Sequence, residues 1–159
     1  FDGFSALNNP FFEWVPHSIF KSDVLTFRCD SLLSNAVYNR GKWFQPLGNH
    51  CYKVGSTHYS VETLNAPPES AGYNRLSDFL ADTLSVPYSI LSYRSAFKMS
   101  VPDSRPVLGQ HPSYSQLYIC NGFGSKGALA VPFCVNEIVS HVLDKKPIFN
   151  ELDVSRWNH

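Results

Sequence analysis

Residues Gly122-Phe123-Gly124-Ser125-Lys126-Gly127 spell G-x-G-x-x-G between a strand-like run and a helix-like run. Glycines at this spacing permit positive φ and a close approach of the backbone to another group. A helix starting there presents N–H groups without intrahelical partners and carries partial positive charge. Lys126 adds a full charge, and Ser125 is placed to cap the helix. Such a loop suits an electron-rich acceptor: a phosphate, a carboxylate or a polarised carbonyl. The plainer alternative is a tight strand-to-helix turn whose glycines serve packing only.

The same six residues match the text of a dinucleotide-binding fingerprint. That fingerprint also needs a second parallel strand after the helix, with an acidic residue at its end. Here Asp144 is followed by Lys145-Lys146-Pro147 and no strand-like run. The loop also lies near the end of the 159 residues, where the first turn of a Rossmann domain is out of place. A pyrophosphate cradle is therefore not expected.

Other chemistries find little support. His17, His50, His111, His141 and His159 are scattered, and none forms a recognisable triad with a Ser and an Asp. Cys29, Cys51, Cys120 and Cys134 include no C-x-x-C pair and lie at no metal-ligand spacing from a histidine, so no metal site is expected. Each cysteine sits in an apolar run and reads as a small buried hydrophobe, which fits a reducing, cytoplasmic compartment. Net charge is zero, so charge gives no footprint for nucleic acid or an anionic membrane. The most apolar stretch, 128–143, contains Pro132, Asn136, Glu137 and His141 and is too short and polar to span a bilayer. At 43% hydrophobic and 16% charged residues the composition is globular, enough for one domain or one and a half small ones.

The elements that must position the loop are legible in part. Asp23–Arg28, Lys42–Gln45 and Cys51–Thr57 read as strands, joined at turns Asn39-Arg40-Gly41 and Leu47-Gly48-Asn49-His50. Short strands and tight turns argue an antiparallel meander. From Ser70, a plausible N-cap, to Leu84 the residues Tyr73, Leu76, Leu80 and Leu84 recur at helical spacing. The run 89–99 returns to the sheet, Asp103-Ser104-Arg105-Pro106 forms a turn with an internal ion pair, and Leu117–Cys120 is a short strand. After Gly127 a helix carries Val135, Ile138, Val139, Val142 and Leu143 on one face, ends near Lys145-Lys146 and stops at Pro147. The tail from Ile148 reads as irregular.

Three segments in order resemble one family. They are Lys21-Ser22-Asp23-Val24-Leu25 with Gly41-Lys42-Trp43-Phe44-Gln45-Pro46-Leu47-Gly48 and Val54-Gly55-Ser56-Thr57-His58-Tyr59; then Pro102-Asp103-Ser104-Arg105-Pro106-Val107-Leu108-Gly109; then 117–127 with Pro132 beyond it. Over about 9–157 the chain is similar to FAD-dependent oxidoreductases of the D-amino-acid oxidase superfamily, which includes glycine and sarcosine oxidases and the oxidase half of a tRNA wobble-uridine-modifying enzyme. The resemblance implies an α+β fold with a mixed, largely antiparallel sheet and flanking helices. It implies a substrate-binding domain over 1–97 and a flavin-contacting strand–loop–helix over 98–159. Gly122, Phe123, Gly124, Ser125, Lys126 and Gly127 would then contact the ring of FAD rather than its pyrophosphate. Trp43 matches a position that often faces substrate, and a core tryptophan is the alternative.

The departures matter as much. The family's phosphate-binding loop lies in an N-terminal Rossmann segment that this sequence lacks, so this chain reads as a piece that is inactive alone. Where many members carry an Arg to fork a substrate carboxylate, this chain has Lys98, a point charge without fork geometry. Arg94 would need a bulge to replace it. Ser22 stands where the family has Gly, which implies a slightly different turn. The expected activity is oxidation of an amine or amino-acid C–N bond with hydride passing to flavin, and no side chain is required as a catalytic base. A non-enzymatic ligand- or partner-binding module of the same fold, or a tRNA-modifying oxidase, are the competing readings.

Overall fold

The computed structural model describes residues 2–31, 35–61 and 69–158. The fold is α+β. The chain forms two compact units, 21–96 and 1–20 with 97–159, each with its own core.

Strands β1 (Ser18–Arg28), β2 (Tyr38–Arg40), β3 (Lys42–Gly48), β4 (Cys51–Gly55), β5 (Tyr59–Val61) and β6 (Ser89–Ser100) build one sheet in the order β2-β3-β4-β1-β5, with β6 also on β1; all but the first residues of β1 and the last of β6 fall in the unit 21–96. The β1–β4, β2–β3 and β3–β4 pairs are antiparallel, so the meander is realised. Gly41 (φ +75°) turns β2 into β3. Asn49 and His50, both at positive φ, make the two-residue turn from β3 to β4, the geometry that matches strand twist. Strand alternation points Leu25, Phe27, Tyr52 and Val54 to one face.

Helix α1 (Glu69–Thr83) covers that face. It begins at Glu69, so Ser70 lies inside the helix and does not cap it. Leu76 and Leu80 are fully buried as the periodicity requires, and Leu84 is half-buried beyond the helix end. Tyr73 is exposed instead, and Gly72 occupies the buried position one turn before Leu76. Each large apolar side chain fully buried here contributes roughly 1.5–3 kcal/mol.

In the second unit, β7 (Val107–Gln110) pairs antiparallel with β8 (Tyr118–Asn121). The segment 1–20 joins this unit because Phe12 and Val15 pack with Val101, Val107, Ile119 and Val154. The turn at Asp103 forms, since its carboxylate accepts the Arg105 N–H at 3.0 Å. Its ion-pair partner, however, is Arg156 at 3.0 Å, while Arg105 reaches Glu151 at 3.7 Å. Arg156 also donates to the carbonyls of Arg105, Pro106 and Asp153, which a single planar guanidinium can do at once. The tail is more ordered than its sequence implies. Ile148, Leu152 and Val154 are buried, Leu108 and Asp153 form a parallel bridge, and Val154–Trp157 is a 3₁₀ turn capped by Asp153.

Helix α2 (Gly127–Asp144) buries Cys134 and Ile138 against Leu108, Cys120, Ile148 and Leu152. The face read from the sequence is therefore displaced: Val135, Val139 and Leu143 are exposed. Pro132 sits inside the helix and removes one ladder N–H. The helix ends at Lys145 in the left-handed region, where its N–H bonds the Ser140 carbonyl.

Cys29, Cys120 and Cys134 are buried free thiols, whereas Cys51 is half-buried. Burial, with the neighbouring Cys134, pushes the Cys120 thiol up to about 12. Alkylation follows the thiolate. Iodoacetamide at neutral pH should therefore label Cys51 first and leave Cys120 and Cys134 protected until denaturant is added. Peptide mapping of the labelled chain checks this, and early labelling of Cys120 would contradict the packing.

Candidate functional site

β8 ends at Asn121, a buried side chain whose amide donates to Asp2 Oδ1 at 2.9 Å and to the Gly3 carbonyl at 3.0 Å. The strand end is thereby tied to the N-terminal 3₁₀ helix Gly3–Asn8. The chain then turns through Gly122 (φ +76°) and Gly124 (φ +54°). A β-carbon at Gly122 would meet only ordinary contacts with Val101 and Val107 at 3.5 Å. Its glycine thus serves backbone conformation, not space. The Gly124 N–H donates to the Met99 carbonyl at 2.8 Å, which pins the loop beside the residue following Lys98.

Gly127 has no positive φ and starts the helix proper. Ser125 does not cap it. The cap position is Lys126, without a side-chain hydrogen bond and without an acidic residue in the first turn. Ser125 and Lys126 are both exposed. Phe123 is half-buried, and its carbonyl accepts the Lys126 N–H at 3.0 Å. A helix end without a side-chain cap and the exposed Lys126 ammonium put positive charge at this loop. It can accept an electron-rich group there. The strand before the loop pairs antiparallel with β7, unlike the parallel strand of a dinucleotide fold.

Lys98, in the same unit, is half-buried, and desolvation lowers its pKa. Trp43 belongs to the unit 21–96. It faces away from α1, since Phe44, its neighbour on β3, packs with Phe27 and Phe79 on the α1 side. Its indole lies over Gly55: a β-carbon there would come within 2.7 Å of Trp43 Cζ2 and 2.8 Å of Val24 Cγ1. Gly55 is therefore what lets the ring lie flat across β4. The ring is half-buried, neither a sealed core residue nor a free one. Arg94 is exposed.

No protein-family model matches the chain. Solved structures do. Glycine oxidase from Geobacillus kaustophilus superposes with a TM-score of 0.71 at 19% identity, over 90% of this chain and 39% of that one. Iminodiacetate oxidase from Chelativorans sp. BNC1 gives 0.71 at 18%, over 96% and 43%. L-proline dehydrogenase from P. horikoshii gives 0.65 at 17%, over 90% and 39%. The chain shares the fold of the matched parts of these structures. The chain spans about two-fifths of the length of the oxidoreductase structures it matches. The resemblance read from the sequence motifs and the structural likeness thus point to the same architecture.

One cluster escaped the sequence reading. Alternation along β1 puts Lys21 and Asp23 on the same buried face as Leu25 and Phe27. Asp23 is fully buried, accepting from Thr57 Oγ1 at 2.5 Å and Tyr93 Oη at 2.7 Å, with Lys21 Nζ at 3.9 Å. Burial pushes its pKa up, but hydrogen bonds from Thr57, Tyr93 and Ser95 and the Lys21 charge outweigh that and hold it below the ordinary value. The period-two spacing Lys21-x-Asp23 inside an apolar strand was the available signal. Ser22 lies within β1, not in a turn, and its hydroxyl donates to the Thr57 carbonyl at 2.9 Å. The Ser22 hydroxyl thereby joins the network through Thr57.

Proposed function

We propose that this chain is the substrate-binding and flavin-ring-contacting part of an FAD-dependent oxidoreductase that oxidises an amine or amino-acid C–N bond. The observation that carries the proposal is the loop 122–127 on an oxidase fold: two positive-φ glycines and an uncapped helix start with an exposed lysine. These residues fit an electron-rich ring edge. When bound, the flavin supplies the hydride acceptor. Gly122, Phe123, Gly124, Ser125, Lys126 and Gly127 form the surface that meets it, and the Lys126 ammonium with the helix dipole favours negative charge there. Lys98, desolvated, offers a substrate carboxylate a single charged contact. Trp43 offers its half-exposed ring as a wall for the substrate.

The rest of the cofactor site is assigned to an FAD-binding segment outside this sequence. The apolar surface of α2 supports that assignment. Leu129 is 86% exposed, Leu143 73% and Phe133 53%, and a helix apolar on several sides is ordinarily covered.

The test is the visible spectrum of the purified full-length protein. Flavin absorption that bleaches anaerobically with an amine or amino acid supports the proposal. A folded, colourless protein overturns it in favour of a binding module. In a flavin-bearing protein, Lys126→Met should lower sulfite affinity and make the flavin harder to reduce. With one charge near the ring, the expected loss in sulfite affinity is roughly tenfold. An unchanged potential and affinity would remove Lys126 from the ring.

A further inference from the structure

We propose a second ligand site, independent of the flavin reading, in the unit 21–96: a cavity for a small aromatic zwitterion. It occupies about 520 Å³, within the range of small-molecule pockets. Its floor is apolar and largely aromatic, made by Phe44, Tyr52, Phe79 and Leu84. Its rim carries Arg40 from β2 and Asp82 from the last turn of α1. The cavity lies on the α1-covered face of the sheet, opposite the face that carries Trp43. It is therefore not the surface assigned to substrate above.

The charges define the ligand. Arg40 and Asp82 are both exposed and make no ion pair with each other or with another described residue. The aromatic floor takes a ring through stacked or edge contacts. Arg40 then takes a carboxylate through a charge-assisted fork. Asp82 takes an ammonium, and the negative end of the α1 dipole reinforces it. A simple hydrocarbon would leave both charges unused. An α-amino acid with an aromatic side chain uses all three features.

Calorimetric titration of the full-length protein with L-tryptophan, indole-3-propionate and tryptamine tests this. The zwitterion should bind tightest. Arg40→Gln should weaken L-tryptophan and indole-3-propionate by roughly tenfold each and leave tryptamine unchanged, the loss of one charge-assisted contact. Asp82→Asn should weaken L-tryptophan and tryptamine and leave indole-3-propionate unchanged. Both positions are exposed, so folding is preserved. Absence of saturable binding for all three probes overturns the site. So does binding that ignores both substitutions, or L-tryptophan binding that disappears in Lys98→Met but persists in Arg40→Gln. The first outcomes leave the flavin proposal untouched, because the spectrum decides that separately.

Discussion

Asp23→Ala is expected to destabilise the unit 21–96 by about 3–5 kcal/mol, the usual cost of removing one partner from a buried charged network. That is a large part of the 5–15 kcal/mol or so that holds a domain folded. The carboxylate is the acceptor on which the Thr57 and Tyr93 hydroxyls converge, and it faces the buried Lys21 ammonium. Of these, the 2.5 Å and 2.7 Å hydrogen bonds outrank the 3.9 Å ion pair, since charge-assisted hydrogen bonds are short and strong. Asp23→Asn keeps the shape and one acceptor and should lose less. Urea denaturation of the three proteins checks the order wild type, Asn, Ala. A midpoint for Asp23→Ala within error of wild type would mean the network contributes nothing.

The pH dependence carries a second signature of the same carboxylate. Its folded pKa lies below the ordinary 3.8, so the folded state binds fewer protons than the unfolded state in that range. Its stabilisation is fully present above the unfolded value. It is lost as pH falls from there through the folded value. Acid titration of stability should therefore be steeper near and below pH 3.8 in the wild type than in Asp23→Asn.

What the sequence disclosed divides along physical lines. The β3–β4 turn was legible because Gly48-Asn49 is turn chemistry between two strand-like runs; that Asn49 and His50 close it at positive φ is what the structure adds. In α1, Leu76 and Leu80 announced the buried stripe, but its third member is Gly72, which has no side chain for periodicity to register. In α2, periodicity picked out Ile138, but apolar residues occur on several sides, so period alone could not choose Cys134 over Val135 and Val139. Ser70 and Ser125 have the chemistry of caps. Yet α1 already includes Ser70, starting at Glu69, and α2 starts after the Phe123–Lys126 turn with Lys126 at the cap position. The packing of 1–20 with 97–159 joins residues more than eighty positions apart, beyond any local signal. For the candidate site, the glycine loop was visible in full. Its positive φ values fell on Gly122 and Gly124 only, because Gly127 already belongs to the helix.

Gly72→Ala should destabilise the same unit by about 1–3 kcal/mol, the usual cost of overpacking a filled interior. Propensity argues the other way, since alanine in place of glycine favours a helix interior by about 1 kcal/mol. Space decides between them. A β-carbon at Gly72 would overlap the Asp23 carboxylate and come within 2.8 Å of the Tyr93 hydroxyl oxygen. Neither group is a loose tip: the carboxylate is fully buried and held by the hydrogen bonds just described. The helix must lift from the sheet or the network must break. The decisive measurement is the double variant. In an Asp23→Ala background the obstructing carboxylate is gone and the Tyr93 hydroxyl has lost the acceptor that holds it, so Gly72→Ala should cost much less and the two effects should be strongly non-additive. Additive losses would show that α1 and Asp23 do not share that space, and the close approach of helix to strand would have to be redrawn.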